Sequence, residues 1–245
     1  MNTEFFTRRA TVRAYDKEKE LTDAELESLI YAASHAPTLG NMQLYSVVVS
    51  REPEAVARLA KLHLGQPAAA NCSALLTICA DIRRFGKWCS ARGAKSGLDN
   101  LGGWFMAITD AAIFGQQFVT AAEMNGLGCC YLGSLSYNVD GFKEALGIPE
   151  GVLPLYSISV GYPQGEVPAP ADRLPLEGIM HRERYSDYSD ADIDRIYGPK
   201  EALPSSAQFI AENGKETLAQ VFADVRYPES LIKSIAAAIS PIINK

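Results

Sequence analysis

The chain lacks the features that mark membrane and exported proteins. None of its apolar runs approaches the roughly 20 residues that a helix needs to span a bilayer. The amino-terminal segment MNTEFFTRRATVR has no apolar stretch followed by a small-residue cleavage site, so it does not predict a signal peptide. We therefore expect a cytoplasmic protein with no membrane partner.

Cysteine and histidine are scarce, and their spacing argues against disulfide and metal frameworks. The five cysteines are odd in number, and none forms a C-x-x-C pair. The three histidines (His35, His63 and His181) do not have the spacing of metal ligands. The sequence therefore predicts neither a disulfide framework nor a metal site.

Long basic runs are also absent, and the net charge is −6 at neutral pH, which argues against a nucleic-acid partner. The sequence contains no P-loop, no G-x-S-x-G and no H-E-x-x-H, and Gly126-Leu127-Gly128 matches only part of a dinucleotide fingerprint. What the chain does have is 245 residues, 47% of them hydrophobic. That is enough for one large domain or two small ones.

The most informative stretch is residues 109–135. Apolar or small residues occupy most positions of Ala111–Met124, a pattern that predicts a long central helix buried on most sides. Thr109 or Asp110 is the expected N-cap, because either side chain can accept hydrogen bonds from the first turn. Asn125-Gly126 supplies the left-handed residue that ends many helices.

A short strand, Cys129–Leu132, and a turn at Gly133-Ser134 follow this helix. The turn allows the backbone to approach a ligand closely, but a core helix that ends in a tight turn without a ligand fits the same pattern. The vicinal pair Cys129-Cys130 is either a redox pair or inert packing. Its apolar surroundings favour packing, because reactive thiols require exposure and positive charge.

The amino-terminal segment contains Arg9, Thr11 and Arg13 at a spacing of two. If the segment is extended, these three side chains point to one side. Two guanidinium groups and a hydroxyl on one side suit a phosphate or another anion, because arginine presents a planar fork of donors. The alternative is a solvated basic segment that pairs with nearby acids (Glu4, Asp16 and Glu18).

A second polar cluster follows the clearest predicted helix, Leu21–Ser34. Thr22 and Glu25 form a capping box at the start of this helix. Pro37 prevents the helix from continuing, and Gly40-Asn41 indicates a turn. Loops held between regular elements often carry binding groups. The polar candidates here are Thr38, Asn41 and Gln43.

The remaining segments predict alternating helices and strands. We expect strands at Leu44–Ser50, Ser73–Ala80 and Leu155–Val160, and helices at Pro53–Leu62 and Asn138–Leu146. Residues 82–103 are rich in glycine and basic side chains and predict a long mobile excursion, either a basic lid or a solvated loop. A proline-rich linker follows Pro163, and we expect the apolar segment SLIKSIAAAISPII near the carboxyl terminus to pack on the core or on a second subunit.

Four segments, taken together, resemble the nitroreductase family of FMN-dependent NAD(P)H oxidoreductases, and most closely its NADPH-preferring nitroreductase and flavin reductase group. They are RATVR (9–13), APTLGNMQ (36–43), AAEMNGLG (121–128) followed by YLG (131–133), and LGIP (146–149) followed by VGYP (160–163). Each motif alone is weak, but four in the right order are specific, and they extend over most of residues 5–185.

The resemblance implies an α+β fold, with a mixed, mostly antiparallel sheet wrapped by helices around a long central helix. It implies a single domain, 1–245, in which 164–245 forms a linker and an arm exchanged between the subunits of a homodimer. The implied activity is a two-step transfer of electrons from NADPH or NADH, through FMN, to nitroaromatics, quinones or flavins. The alternatives are a flavin-binding redox sensor without turnover, or a flavoenzyme of the same fold with other chemistry, such as reductive dehalogenation.

The resemblance also implies roles for individual residues, with the chemistry carried by flavin N5 and no catalytic side chain. Arg9, Thr11 and Arg173 would hold the FMN phosphate, and Arg13 would lie near the N1/O2 edge. Gln66 would hydrogen-bond to the ring. The remaining predicted contacts are Pro37, Thr38, Asn41 and Gln43, with Thr38 and Pro37 reaching across the dimer interface, and Tyr131, Leu132, Gly133 and Ser134 along the flavin.

Three positions depart from the family pattern. Ala171 stands where the group has a lysine or arginine, and Ala10 replaces a larger residue, so the sequence predicts weaker phosphate binding. Ser136 occupies the position of an arginine that faces substrate or NADPH in some relatives, which leaves the choice between NADPH and NADH open.

Overall fold

The structure is a computed structural model that describes residues 3–243; the first two and last two residues of the predicted 1–245 domain lie outside this range. Contacts between residues define two compact units. One comprises the chain up to Ala169 together with the residues from Ile235 onward, and the other comprises Pro170–Ser234. The prediction that the chain forms a single domain with an exchanged arm stays a prediction.

The first unit is built on a four-stranded sheet in the order β1-β2-β4-β3, formed by β1 (Tyr45–Ser50), β2 (Ala74–Asp81), β3 (Gly128–Leu132) and β4 (Val152–Gly161). All three pairings are antiparallel. The predicted α+β fold with a mostly antiparallel sheet is therefore confirmed. No parallel pairing, which a mixed sheet requires, occurs among residues 3–243.

Seven helices of this unit surround the sheet: α1 (Glu4–Arg8), α2 (Asp23–Ser34), α3 (Pro53–Leu62), α4 (Pro67–Ala70), α5 (Arg83–Ala91), α6 (Leu101–Met124) and α7 (Val139–Leu146). The capping box of Thr22 and Glu25 is present, and Gly147 ends α7 in the left-handed conformation. Across residues 3–243, every helix is too short or too polar to cross a membrane.

The central helix α6 begins nine or ten residues earlier than the sequence predicts. Its N-cap is Asn100, whose side chain accepts a hydrogen bond from the backbone of Gly103. The prediction that Thr109 or Asp110 caps the helix is therefore wrong, and Asp110 is fully buried within it. Gly103 serves close packing, because a Cβ atom there would overlap the backbone of Leu98.

This early start also corrects the prediction of a long loop over residues 82–103. Helix α5 occupies Arg83–Ala91, and α6 takes the last three positions of the segment. More than half of the segment predicted to be a mobile loop is therefore helical. The glycines misled the prediction, since two of them lie in the first turn of α6.

One side of α6 is exposed in the single chain, and the other side is buried. Its buried side chains include Trp104, Phe114 and Phe118. The exposed side carries four large apolar residues, which we call the α6 stripe: Leu101, Phe105, Ile108 and Ile113. The first three follow one another at spacings of four and three and share one face, and Ile113, five residues on, lies farther round the exposed side.

The core forms two large hydrophobic clusters, to which β2 contributes residues from both of its faces, and a small one of Cys79, Ile148 and Val152. Leu76 belongs to the cluster with α2 and the middle of α6, and Leu75 to the cluster with α3, α4 and α7. Successive strand residues point to opposite faces, so the two clusters meet β2 from opposite sides. Ile239 and Ile242 pack on the second cluster, as expected for the apolar carboxyl-terminal segment.

The second unit is helical and largely polar. It contains α8 (Asp190–Glu201), α9 (Pro204–Glu212), α10 (Leu218–Gln220), a π-helical turn (Val221–Arg226) and the first residues of α11 (Glu229–Ile243). Ser189 and Asp192 form a capping box at α8.

Candidate functional site

The amino-terminal residues Arg9–Arg13, here called the arginine segment, lie against strand β3. The Val12 amide donates a hydrogen bond to the Cys129 carbonyl at 3.1 Å. Gly128 makes this approach possible, because a Cβ atom there would overlap the Val12 side chain. Ala10 and Val12 are buried and Arg13 is exposed, which is the alternation of an extended segment. The segment is therefore fixed to the sheet by one set of side chains and presents the other.

Arg9 is anchored by an acidic partner that the sequence did not predict. Its Nε lies 3.2 and 3.1 Å from the two carboxylate oxygens of Glu123, and its Nη2 lies 2.8 Å from Oε1. The Glu123 side chain is only 11% exposed. The hydrogen bonds to Glu123 raise the pKa of the Arg9 guanidinium above its ordinary value. A ligand would meet the edge of Arg9 that Glu123 leaves free.

Thr11 and Arg13 differ from Arg9 in having free side chains. Within residues 3–243, neither side chain has a hydrogen-bond or ion-pair partner. The Arg13 charge lowers the pKa of the nearby Cys130 thiol, although burial is the larger effect and leaves that pKa raised. Arg13 and Thr11 therefore remain available to an anionic ligand beside β3.

Gln66 and Ser134, two of the predicted flavin contacts, lie together. The Gln66 side-chain amide donates a hydrogen bond to Ser134 Oγ at 2.9 Å. Ser134 Oγ also lies 3.0 Å from Nδ1 of His63, which is fully buried at the end of α3. No sequence signal indicated these contacts of His63, because its partners are 71 and 94 positions away.

The backbone around Gly133 faces open space. A Cβ atom at Gly133 would meet no heavy atom within 4 Å. Tyr131 is partly exposed, and its ring lies 5.1 Å from that of Tyr156, whereas Leu132 is buried in the core. A flat ligand can therefore approach this backbone without displacing a side chain.

The loop of residues 37–43, here called the Asp110 loop, uses its polar groups internally. Thr38 Oγ1 donates to Asp110 Oδ2 at 2.5 Å and accepts from the Gln43 amide at 2.9 Å. The amides of Leu39 and Leu44 donate to the same carboxylate at 2.9 and 3.1 Å. A buried carboxylate with three donors thus holds the loop in place.

The same loop contains two residues with left-handed backbone. Asn41 has a φ of 54° and Gln43 a φ of 51°, and such a conformation costs about 1–2 kcal/mol for a residue with a side chain. The side-chain amide of Gln43 donates to the backbone carbonyl of Asn41 and to the Asn41 side-chain oxygen Oδ1. The expected contacts of Pro37, Thr38, Asn41 and Gln43 with flavin stay predictions, and the Thr38 hydroxyl is already engaged.

Arg173 lies in the second unit, where it is exposed. Its guanidinium donates to the carbonyls of Ala171 and Asp172 at 3.2 and 2.9 Å. Asp172 pairs with Lys200 at 3.6 Å. The predicted role of Arg173 at the phosphate stays a prediction.

The cysteines have the properties of packed core residues. Cys129 and Cys130 are buried, and burial raises the pKa of both thiols. Burial likewise raises the pKa of Cys72 and of Cys79 to about 12. A thiol that is protonated at neutral pH is a poor nucleophile, so the packing interpretation of Cys129-Cys130 is favoured.

A cavity of about 1050 Å³ lies elsewhere, between α5, α7 and the end of α11. Its lining includes Arg83, Lys87, Lys95 and Lys143 together with three acids, but none of the predicted flavin contacts. Three of the five basic residues of the 82–103 segment (Arg83, Lys87 and Lys95) therefore border a separate depression.

Comparisons with known proteins agree with the arrangement of these segments. The sequence model of the nitroreductase family matches residues 6–162. An FMN reductase (NADPH) of Bacillus subtilis is 31% identical over 172 residues, which cover 69% of this chain and 69% of that protein. An oxygen-insensitive NADPH nitroreductase of Salmonella typhimurium is 31% identical over 168 residues, covering 69% and 68%. The crystal structure of a Bacteroides fragilis protein described as an oxidoreductase has a TM-score of 0.94 at 43% identity, over 98% of this chain and 97% of that one.

Proposed function

Since the chain belongs to the nitroreductase family, we propose that it is an oxidoreductase that binds FMN and takes electrons from NADPH or NADH. The observation that carries the proposal is the pair of free side chains, Thr11 and Arg13, on a backbone fixed against β3. The names of the Bacillus subtilis and Salmonella typhimurium relatives support the same cofactor and reductant. Bound FMN supplies the redox chemistry, because its ring accepts hydride and passes electrons on.

The arginine segment suits the anionic parts of FMN. Thr11 offers a hydroxyl and Arg9 its free guanidinium edge, and we assign both to the phosphate. Arg13 lies farther along the segment, and we assign it to the ring, where its charge favours negative charge on a ligand. Each hydrogen bond to a charged group contributes about 1.5–3 kcal/mol.

Other residues of the site orient the ring and leave one face open. Gln66 is held by Ser134 and offers its remaining amide groups, and the open backbone at Gly133 accepts a flat ring. The predicted contacts at Tyr131 and Leu132 adjoin this backbone. We assign no general acid or base, because the reaction requires positioning and a positive field rather than proton transfer by a side chain.

The proposed reaction takes place in two steps at the same open face. FMN held by Thr11, Arg13 and Gln66 would supply the acceptor for the hydride of the nicotinamide nucleotide, which would then leave. A small-molecule acceptor such as a nitroaromatic, a quinone or a free flavin then occupies the same space. One site serves both partners because nothing among the assigned residues encloses the face.

The α6 stripe supports the proposal of a homodimer. Leu101, Phe105, Ile108 and Ile113 form an exposed apolar face, and such a patch is stable in water when a partner covers it. A two-fold dimer would pair the stripe with its own copy. In this dimer the Asp110 loop would reach the partner's flavin, and the exchanged part of the 164–245 arm would be the part before Ile235, because Ile239 and Ile242 pack on the core of their own chain.

The experiment that tests the function is the visible absorbance of the purified protein, followed anaerobically while NADPH or NADH is added. We expect a flavin spectrum that bleaches with at least one nucleotide and recovers when a nitroaromatic or quinone is added. A flavin spectrum that neither nucleotide bleaches would favour a redox sensor. A colourless protein that does not bind added FMN would contradict the proposal.

A further inference from the structure

A chain of buried hydrogen bonds leads from Gln66 into the sheet. Gln66 Nε2 lies 2.9 Å from Ser134 Oγ, and Ser134 Oγ lies 3.0 Å from His63 Nδ1. His63 Nε2 lies 2.9 Å from Ser157 Oγ, which lies 3.3 Å from Thr77 Oγ1. The four hydrogen-bonded side chains that follow Gln66 are buried, and His63, Ser157 and Thr77 are fully buried. The chain therefore joins a predicted flavin contact to the interior of the protein.

Counting hydrogens limits these bonds to two arrangements. The Gln66 amide nitrogen can only donate, so Ser134 Oγ accepts from it. The neutral imidazole has one hydrogen for its two contacts. Either Ser134 donates to Nδ1 and Nε2 donates to Ser157 Oγ, or Nδ1 donates to Ser134 Oγ and Ser157 donates to Nε2. Burial lowers the pKa of His63 to about 4, which favours the neutral ring in both arrangements.

In the first arrangement, in which Ser134 donates to His63, the single hydroxyl hydrogen is engaged and Ser134 can only accept from Gln66. The Gln66 amide nitrogen is turned to Ser134, and the Gln66 carbonyl oxygen accepts no hydrogen bond from residues 3–243. An amide that rotates freely would offer either group. Holding it in one orientation lowers the entropy that binding must overcome.

We propose that His63 is a positioning residue, which acts through Ser134 to hold the Gln66 amide with its carbonyl oxygen available to accept a hydrogen bond from FMN. This inference rests on the proposed function. Its surroundings show that the histidine is not required for packing alone. The ring lies 4.6 Å from Phe142, among apolar side chains, where an aromatic hydrocarbon would fill the same space.

The test is a double-mutant cycle between His63 and Gln66, with the dissociation constant of FMN measured by quenching of its fluorescence. We expect His63→Phe to weaken FMN binding about tenfold when Gln66 is present, the equivalent of one hydrogen bond. In the Gln66→Ala background, the same change should weaken binding less than about twofold. The melting temperature should fall by a similar amount in both backgrounds.

Ser157→Ala is the matched control, because it shortens the inner end of the chain and leaves the contact between His63 and Ser134. It should lower the melting temperature and leave the FMN dissociation constant within about twofold. If His63→Phe does not fold, His63→Leu replaces it in the cycle, with the same expected coupling to Gln66.

Equal losses of affinity in the two backgrounds, or an equal loss in Ser157→Ala, would overturn the inference, because His63 would then act only through stability. These results leave the proposed function intact, since the natural protein still binds FMN. Failure of the natural protein itself to bind FMN would overturn the proposed function and this inference with it.

Discussion

The arginine segment and the Asp110 loop are both predicted to bind FMN, yet they use their polar groups in opposite ways. In the Asp110 loop, Thr38 donates to a buried carboxylate and accepts from a backbone amide. In the arginine segment, the side chain of Thr11 has no partner within residues 3–243. The same residue type is thus a structural connector in one segment and a free group in the other.

The difference shows how each segment holds its backbone. The Asp110 loop has left-handed residues and is held by hydrogen bonds from its own polar groups. The arginine segment is held by buried apolar side chains, one backbone hydrogen bond to Cys129 and the ion pair of Arg9 with Glu123, which leaves Thr11 and Arg13 without a holding role. A polar side chain is available to a ligand where other groups hold the backbone of its segment in place. Four predictions test this distinction, from the largest expected effect to the smallest.

Replacing Asp110 with alanine removes the carboxylate that holds the Asp110 loop. We expect the free energy of unfolding to fall by about 4 kcal/mol. Three donors would lose their acceptor, and each unsatisfied buried donor costs about 1–3 kcal/mol. Urea denaturation of the variant measures the loss. Thr109→Ala on the same helix is the control, since the Thr109 side chain bonds only to the Phe105 carbonyl. A loss below about 1 kcal/mol in Asp110→Ala would show that the loop holds itself.

The local part of the fold could be predicted from the sequence. Pro53 at the start of α3, the capping box of Thr22 and Glu25, and Asn138 and Gly147 at the ends of α7 are all signals within one helical turn. The start of α6 could not be predicted in the same way. Gly103 resembles a loop residue until its packing against Leu98 is known.

The candidate site shows the same difference between residues that the sequence indicated and contacts between distant positions that it did not. The resemblance named Gln66 and Ser134, and the structure brings them together. It assigned no role to His63, Asp110 or Glu123, whose contacts join positions 66 to 114 residues apart. Such pairs depend on the packing of α3 and α6 against the strands. The composition and spacing of residues within one segment do not predict that packing.

Acidic pH should lower the free energy of unfolding through the protonation of His63, which is buried behind Ser134. The pKa of His63 is about 4 in the folded protein, below its ordinary value of 6.5. The unfolded chain therefore binds more protons between these values, and stability falls as the pH decreases from 6.5 towards 4, by up to about 3 kcal/mol. Urea denaturation at a series of pH values should show this slope in the natural protein. His63→Phe should lack it, and a variant that keeps the full slope would assign the effect to other groups.

The two arginines of the arginine segment should separate stability from binding. Arg9→Ala leaves the mostly buried Glu123 carboxylate unpaired, so we expect a loss of about 2 kcal/mol of stability. Arg13→Ala breaks no contact with residues 3–243 and should change stability by less than about 0.5 kcal/mol. It should instead slow the reduction of bound flavin by NADPH in stopped-flow measurements. Unchanged reduction kinetics would remove Arg13 from the site.

The paired threonines give the smallest and most direct test of the comparison. Thr38→Val keeps the shape of the side chain but removes the hydroxyl that bonds to Asp110 and the Gln43 amide, so it should cost about 1–2 kcal/mol of stability. Thr11→Val removes a hydroxyl with no partner in residues 3–243 and should leave stability within about 0.5 kcal/mol, while FMN binds several-fold more weakly. Urea denaturation and FMN fluorescence quenching on both variants measure the two quantities. Because the substitution is identical, any exchange of these outcomes would mean that free polar groups, not engaged ones, hold the site together.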